Sequence, residues 1–257
     1  MDYINRHTLH KNMDTGSLCM DHVANMRKEF FWDKTYEWFH KIKPGDVCVD
    51  IGSCIGMFTA MALDSGASKV YMVEPNRGLL ETAMNNVRDY VINAKESPIV
   101  PVHAAIMNHA DHANHIYNEK EAGEFQKLTF AEFIDYYNID HIDYLKIDCE
   151  GGEYDILTKE NLDWIYENVN FIALEIHRRH TDSYVESGYS FGGSGSNEFV
   201  RFRDEFLKKY WDEGRVQYQF KSIREDIWND GFALADNVQD RYGKLPPEFM
   251  IYLTPKK

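Results

Sequence analysis

Residues 47–63 read VCVDIGSCIGMFTAMAL. Val47 to Ile51 is a short apolar run of the kind that forms a buried strand. Gly52 to Gly56 then marks a turn, and Met57 to Leu63 opens a helix. Glycine lets the backbone approach a ligand where a side chain would collide. A helix N-terminus presents unpaired N–H groups to a carboxylate or phosphate. Working outward, Lys69 to Glu74 (KVYMVE) reads as a second strand closed by an acid. A carboxylate in that place can accept hydrogen bonds from the hydroxyls of a ribose. Together these features describe a site for an adenosine-containing cofactor at the switch point of an α/β sheet.

The pattern of the turn narrows the cofactor. A dinucleotide site asks for Gly-x-Gly-x-x-Gly, whose middle glycine admits a pyrophosphate. This chain has Asp50-x-Gly52-x-x-x-Gly56, with Cys54 where the middle glycine would stand. A cofactor without a pyrophosphate and with a cationic amino-acid end suits it better, and S-adenosylmethionine has both properties. The P-loop signature is absent. Thr59 is read either as a polar contact of the turn or as a helix-lining residue.

The rest of the chain alternates helices and strands. Residues 1–28 are poorly patterned, an arm or a helix packed on a neighbour. The aromatic spacing from Glu29 to Ile42 predicts a helix, broken by Lys43-Pro44-Gly45-Asp46. A helix after Asn76 carries Leu79, Leu80, Ala83, Met84, Val87, Tyr90 and Val91 on one face. Ile99 to Ile106 reads as a third strand, and residues 107–127 include a less regular one. Thr129 with Glu132 reads as a capping box on a helix to Tyr137. Ile142 to Asp148 and Phe171 to Ile176 are the fourth and fifth strands, with a helix from Glu153 between them. Asn197 to Tyr210 reads as an amphipathic helix, and Val216 to Ile223 and Phe249 to Leu253 as two final strands. Such alternation predicts a mostly parallel sheet with helices on both faces.

The fourth strand runs into Leu145-Lys146-Ile147-Asp148-Cys149-Glu150-Gly151-Gly152-Glu153. Asp148 is expected near the cofactor. Glu153 is either a solvated acid at a helix N-terminus or a ligand group. VDIGSCIGMFT, VEPN, LKIDCEGGEYDIL and ALEIH, in that order, resemble the FkbM family of S-adenosylmethionine-dependent methyltransferases. The resemblance runs from about residue 37 to residue 180. It implies a Rossmann-like class I methyltransferase fold, a seven-stranded sheet with an antiparallel last strand. It also implies O-methylation of a sugar, glycan or natural product. Carried over by position, Asp50, Gly52 and Gly56 shape the methionine pocket, with Ser53 and Cys54 in the turn where the family usually carries Ala and Asn. Glu74 holds the ribose, Asn76 lies near the adenosine, and Ala104 and Ala105 leave room for a flat base.

An alcohol nucleophile must lose a proton during methyl transfer. The candidate bases are His177, Asp148 and Glu150, with Glu175 and His180 behind them; a His has a suitable intrinsic pKa. Asp148, Glu150, Glu175 and His177 could also supply ligands to Mg²⁺, or form ion pairs with Lys146, Arg178 or Arg179. His109, His112 and His115 read as a solvated loop. The Gly/Ser-rich stretch Ser187 to Ser196, with Tyr184, Tyr189 and Phe191, is a substrate lid or a surface insertion.

Length and charge set the remaining bounds. At 257 residues the chain is expected to form one domain: an N-terminal helical extension (1–42), a cofactor-binding core (43–180), a flexible insertion (181–198), and a helix with the final strands (199–257). The chain is 44% hydrophobic and its net charge is −14. That charge argues against binding a nucleic-acid backbone or an anionic membrane. No apolar run reaches the roughly 20 residues of a membrane span, and the first residues lack a signal-peptide core. Cys19, Cys48, Cys54 and Cys149 show no disulfide or zinc spacing, so a reduced cytoplasmic setting is expected. The expected partner is a small-molecule or glycan acceptor, and the N-terminal aromatics pack internally or form a homodimer contact. A nicotinamide-dependent oxidoreductase and a non-catalytic S-adenosylmethionine-binding module are the competing readings.

Overall fold

The structure is a computed structural model, and it describes residues 13–18, 20–92, 94–107, 124–177, 201–219 and 248–255. The strands are β1 (Val47–Ile51), β2 (Lys69–Val73), β3 (Ile99–Val102), β4 (Ala104–Ile106), β5 (Gln126–Leu128), β6 (Ile142–Ile147), β7 (Val169–His177), β8 (Val216–Gln219) and β9 (Glu248–Leu253). Seven of them form one sheet in the order β3-β2-β1-β6-β7-β9-β8. The pairs from β3 to β7 are parallel, and β9 runs antiparallel to both β7 and β8. This is the mostly parallel seven-stranded sheet with an antiparallel last strand that the family resemblance implies.

The alternation of side chains along each strand divides the core in two. Val49, Ile51, Leu145 and Ile147 face one hydrophobic cluster, while Cys48, Met72 and Tyr144 face the other. The first cluster is closed by α4 (Phe130–Tyr137), α5 (Glu153–Ile156) and α6 (Lys159–Asn168), the second by α2 (Met57–Asp64) and α3 (Arg77–Ile92). Helices therefore cover both faces. The same period of two places Asp50 and Lys146, which are register partners, on the α2 face. The chain lays down β1, β2 and β3 in one direction and returns to place β6 on the other side of β1. The crevice of such a sheet opens at the carboxyl ends of β1 and β6.

Several expectations about elements need correction. The helix expected from Glu29 to Ile42 is not continuous. After α1 (Met20–Arg27), a π-helical turn covers Lys28–Trp32 and a 3₁₀ turn Thr35–Glu37, with Lys34 between them at φ 51°. The left-handed Lys34 ends the helix and turns Tyr36 into the core. The strand expected over Ile99 to Ile106 is two strands. The Val102 carbonyl accepts from Glu74, whereas the next carbonyl, that of His103, accepts from Gln126. The chain thus changes partner at His103, and β4 pairs with β5 outside the main sheet. Asp148 lies just past β6, while His177 is the last residue of β7. The helix expected from Glu153 is divided into α5 and α6, with Leu157 and Thr158 between them.

The capping box at Thr129 is present, with Glu132 bonded back to the Thr129 N–H at 2.7 Å. In the stretch read as a helix from Asn197, the described part is π-helical over Phe202–Leu207, followed by α7 (Lys208–Asp212). His109, His112, His115, His180 and the Gly/Ser-rich insertion lie outside the described residues. Among the described residues, no helix is long and apolar enough to cross a membrane.

Candidate functional site

The sharp crossing at the end of β1 builds the site. Gly52 has φ +80°, and a Cβ there would fall 1.8 Å from the Asp148 carbonyl oxygen. Only glycine fits that conformation and that approach. The N–H groups of Gly52 and Ser53 both donate to the Val73 carbonyl at 3.0 Å, tying the turn to the end of β2. Gly56 (φ +83°) starts α2 with Ala83 of α3 3.1 Å from where its Cβ would stand. Cys54 lies between them at φ 51°, and burial, with the negative charge of Glu74, pushes its thiol up to about 12.

Lys146 is the centre of the charged network. It is 2% exposed, and its Nζ donates to the Gly52 carbonyl at 2.6 Å. The same nitrogen lies 3.3 Å from Asp50 Oδ1 and 3.6 Å from Asp148 Oδ2. Burial works against its charge, but Asp148 and Asp50 outweigh it and hold the ammonium above its ordinary pKa. Asp50 is fully buried and accepts from Thr59 Oγ1 at 2.7 Å. Burial pushes its carboxyl up, against the pull of Lys146 and Thr59. Asp148 is the partly exposed member, its side chain 26% exposed, and it accepts from Tyr36 Oη at 3.1 Å.

Glu74 sits just past β2. Its Oε2 accepts from the Cys54 N–H at 3.0 Å and its Oε1 from the Asn76 N–H at 2.8 Å. It is 3% exposed, and burial lifts its pKa to about 7 against those two bonds. Each carboxylate oxygen keeps the lone-pair capacity to accept a second hydrogen bond. Asn76 spends its side-chain oxygen on the Leu79 N–H at 3.1 Å, capping α3.

A cleft of about 450 Å³, counting its open mouth, runs along these strand ends. Its walls include Ile51, Gly52, Val73, Pro75, Ala104 and Ala105 on one side, and Cys149, Gly152 and Asp155 on the other. The cleft thus brings Gly52, Ala104 and Ala105 to one surface, with Glu74 between two lining residues.

Asp50 and Thr59 stand behind the cleft rather than on it. Ser53 is buried, and its hydroxyl makes no hydrogen bond to a described residue. Glu150 is exposed on the following turn at φ 54°. Glu153, read as solvated or as a ligand group, is fully buried. Glu175 is buried on β7, and the His177 backbone pairs with Glu248, its side chain lying outside the described part. Among the described residues, no group of three or more His, Cys, Asp or Glu is placed to hold a metal ion.

Sequence reasoning named Lys146 only as a general ion-pair partner and missed Tyr36. The signal for Lys146 was present: one cation interrupts an apolar strand, as Asp50 interrupts its neighbour. Tyr36 left no such mark among the other aromatics.

The donor set fits S-adenosylmethionine. The charges facing one another at the strand ends are acidic around a single buried ammonium, the apolar slot by Ala104 and Ala105 suits a flat base, and the Glu74 carboxylate suits a ribose. The fold and site define a class I methyltransferase arrangement. The methyltransferase FkbM domain matches residues 50–218, and the chain belongs to that family, whose activity is S-adenosylmethionine-dependent methyl transfer.

Among solved structures, the chain is similar to a methyltransferase FkbM from Methylobacillus flagellatus KT. The identity is 16% and the TM-score 0.49, over 96% of this chain and 57% of that one. It is also similar to an rRNA methylase from Streptococcus thermophilus, at 13% identity and TM-score 0.44 over 84% and 90% of the two chains. A third is the Aeropyrum pernix fibrillarin in complex with natively bound S-adenosyl-L-methionine, at 14% identity and TM-score 0.40 over 83% and 68%. No curated protein matches the chain.

Proposed function

We propose that this protein methylates a hydroxyl group of a small molecule or glycan. The observation that carries the reading is Asp148: a partly exposed carboxylate at the carboxyl end of β6, held by Tyr36 and Lys146 beside the cleft. S-adenosylmethionine supplies an electrophilic methyl group on a sulfonium. Glu74, Ala104 and Ala105 hold the adenosine, and the turn from Gly52 to Gly56 holds the methionine end. Asp148 accepts the proton of the attacking hydroxyl, with Glu150, on the turn after β6, and His177, the last residue of β7, as the alternative bases. Methyl transfer needs its reacting groups aligned in line, and a rigid crossing at Gly52 supports that alignment. The acidic charge of the chain, −14, favours a neutral or cationic acceptor over a nucleic acid, in a reduced cytoplasmic setting.

The test is release of S-adenosylhomocysteine in the presence of sugars, glycans, phenols and amines offered as separate panels. Turnover confined to hydroxyl acceptors and lost in Asp148→Asn supports the reading. Turnover with amines alone, or full activity in Asp148→Asn, contradicts it.

A further inference from the structure

The family match begins at residue 50, yet one contact to the charged network comes from the segment before it. Tyr36 is fully buried, its ring stacked on Phe30 with centroids 4.6 Å apart and edge-on to Phe58 of α2 at 5.9 Å. Two tyrosines of the sheet donate to consecutive carbonyls of this segment. Tyr252, on β9, reaches the Thr35 carbonyl at 2.8 Å, and Tyr144, on β6, reaches the Tyr36 carbonyl. The segment is therefore fastened to two strands on either side of one peptide unit. Its fastening delivers the hydroxyl of Tyr36 to Asp148 Oδ2 at 3.1 Å, the same oxygen that faces Lys146. Burial, then the negative charges of Asp148 and Glu175, push the Tyr36 pKa well up, so the hydroxyl stays protonated and acts as a donor. Filling the space beside Phe30 and Phe58 needs only an aromatic ring. The hydroxyl, placed on the partly exposed carboxylate of the site, goes beyond what packing requires.

We propose that Tyr36 is a positioning residue of the cofactor site: with Lys146, its hydroxyl fixes the Asp148 carboxylate in the orientation that meets the positively charged end of S-adenosylmethionine. The proposal rests on the reading of the cleft as an S-adenosylmethionine site. It extends the working site beyond the matched domain, to a residue that acts through Asp148 rather than on the ligand.

The experiment is a double-mutant cycle read by titration calorimetry with S-adenosylmethionine, on the full chain, Tyr36→Phe, Asp148→Asn and the double variant. Tyr36→Phe is expected to weaken binding about tenfold, the scale of one hydrogen bond to a charged group. In the Asp148→Asn background the same change is expected to cost less than about twofold, because the two residues act as a unit. Affinity unchanged in Tyr36→Phe, or losses that multiply in the double variant, would overturn the proposal.

Tyr252→Phe removes an equally buried hydroxyl bond to the same segment without touching Asp148. The Tyr144 bond still fastens the segment, so this variant is expected to lower thermal stability and to weaken binding less than Tyr36→Phe does; a loss of affinity equal to that of Tyr36→Phe would reduce Tyr36 to packing. Should Tyr36→Phe not fold, Phe30→Leu loosens the ring from its stacked partner. Its expected affinity loss is smaller and disappears in Asp148→Asn, and a loss that persists there contradicts the proposal. Failure of the cofactor reading looks different: the unmutated protein then binds no S-adenosylmethionine, and this proposal falls with it.

Discussion

Asp50 and Asp148 share one buried ammonium, while Glu74, a strand away on the same sheet edge, is held by two backbone N–H groups. Each end holds a buried carboxylate, Asp50 or Glu74, but by different means. At the β1–β6 end, one ammonium, Lys146, offsets two carboxylates and its pKa stays high. At the β2 end, two neutral donors do not offset burial, and Glu74 rises to about 7. Lys146 stays charged and burial raises Asp50, while Glu74 is brought to about 7, so the β2 end titrates near neutrality.

The largest expected effect tests the geometry on which the first end depends. Gly52→Ala introduces a Cβ 1.8 Å from the Asp148 carbonyl, at φ +80°. Combining the left-handed penalty with local overpacking gives a loss of about 3 to 5 kcal/mol, measured by denaturant unfolding. Loss below about 1 kcal/mol would mean that the crossing can open, and that it does not set the position of Asp148.

Next in size is Lys146→Met, which leaves Asp50 and Asp148 without their shared cation. A broken buried ion pair costs about 3 kcal/mol or more. The double variant Asp50→Asn/Lys146→Met is expected to recover part of that loss. If it is no more stable than Lys146→Met alone, the balance of charge is not what holds this end.

How much of this difference could be read from the sequence depends on where each partner lies. The β1–turn–α2 unit was legible because two glycines, an apolar run and an acid closing the next strand sit in a fixed local order. Glu74 was legible for the same reason. The antiparallel last strand came from the family resemblance and not from periodicity. Two of the contacts join residues far apart along the chain: Lys146 meets Asp50 only through the register of β1 with β6, and Tyr36 reaches Asp148 from the N-terminal segment.

The N-terminal segment was misread because its aromatics recur near helical spacing. In the fold that spacing is divided between exposed positions, such as Trp32, and buried ones, such as Phe30 and Tyr36. Asn76, placed near the adenosine by the family resemblance, uses its side chain to cap a helix, a role that position alone does not reveal.

The pH behaviour sharpens the contrast between the two ends. Glu74 has a folded pKa of about 7, above its ordinary value of 4.5. Between those values the folded state binds more protons than the unfolded state, so stability falls as pH rises through that window. The total is about 3 kcal/mol, levelling off above pH 7. Glu74→Gln is expected to lack this component in a series of unfolding curves from pH 4.5 to 8. Cofactor affinity runs the other way: ribose hydroxyls donate to the ionised form, so affinity rises by about tenfold from pH 6 to pH 8 in the unmutated protein. Affinity that is flat with pH would remove Glu74 from the ribose site.

The smallest effect concerns support behind the cleft. Thr59→Val removes the 2.7 Å bond to Asp50 and is expected to cost about 1.5 kcal/mol. Cofactor affinity is expected to change little, because Asp50 and Thr59 stand behind the surface that meets the ligand. A large affinity loss at constant stability would instead put Thr59 in contact with the cofactor.

The most direct measurement is titration calorimetry of the purified protein with S-adenosylmethionine, S-adenosylhomocysteine and NAD⁺. The expected result is saturable binding of the first two and none of NAD⁺. Binding of NAD⁺ alone, or no binding of S-adenosylmethionine, would contradict the assignment of the strand-end cleft to that cofactor.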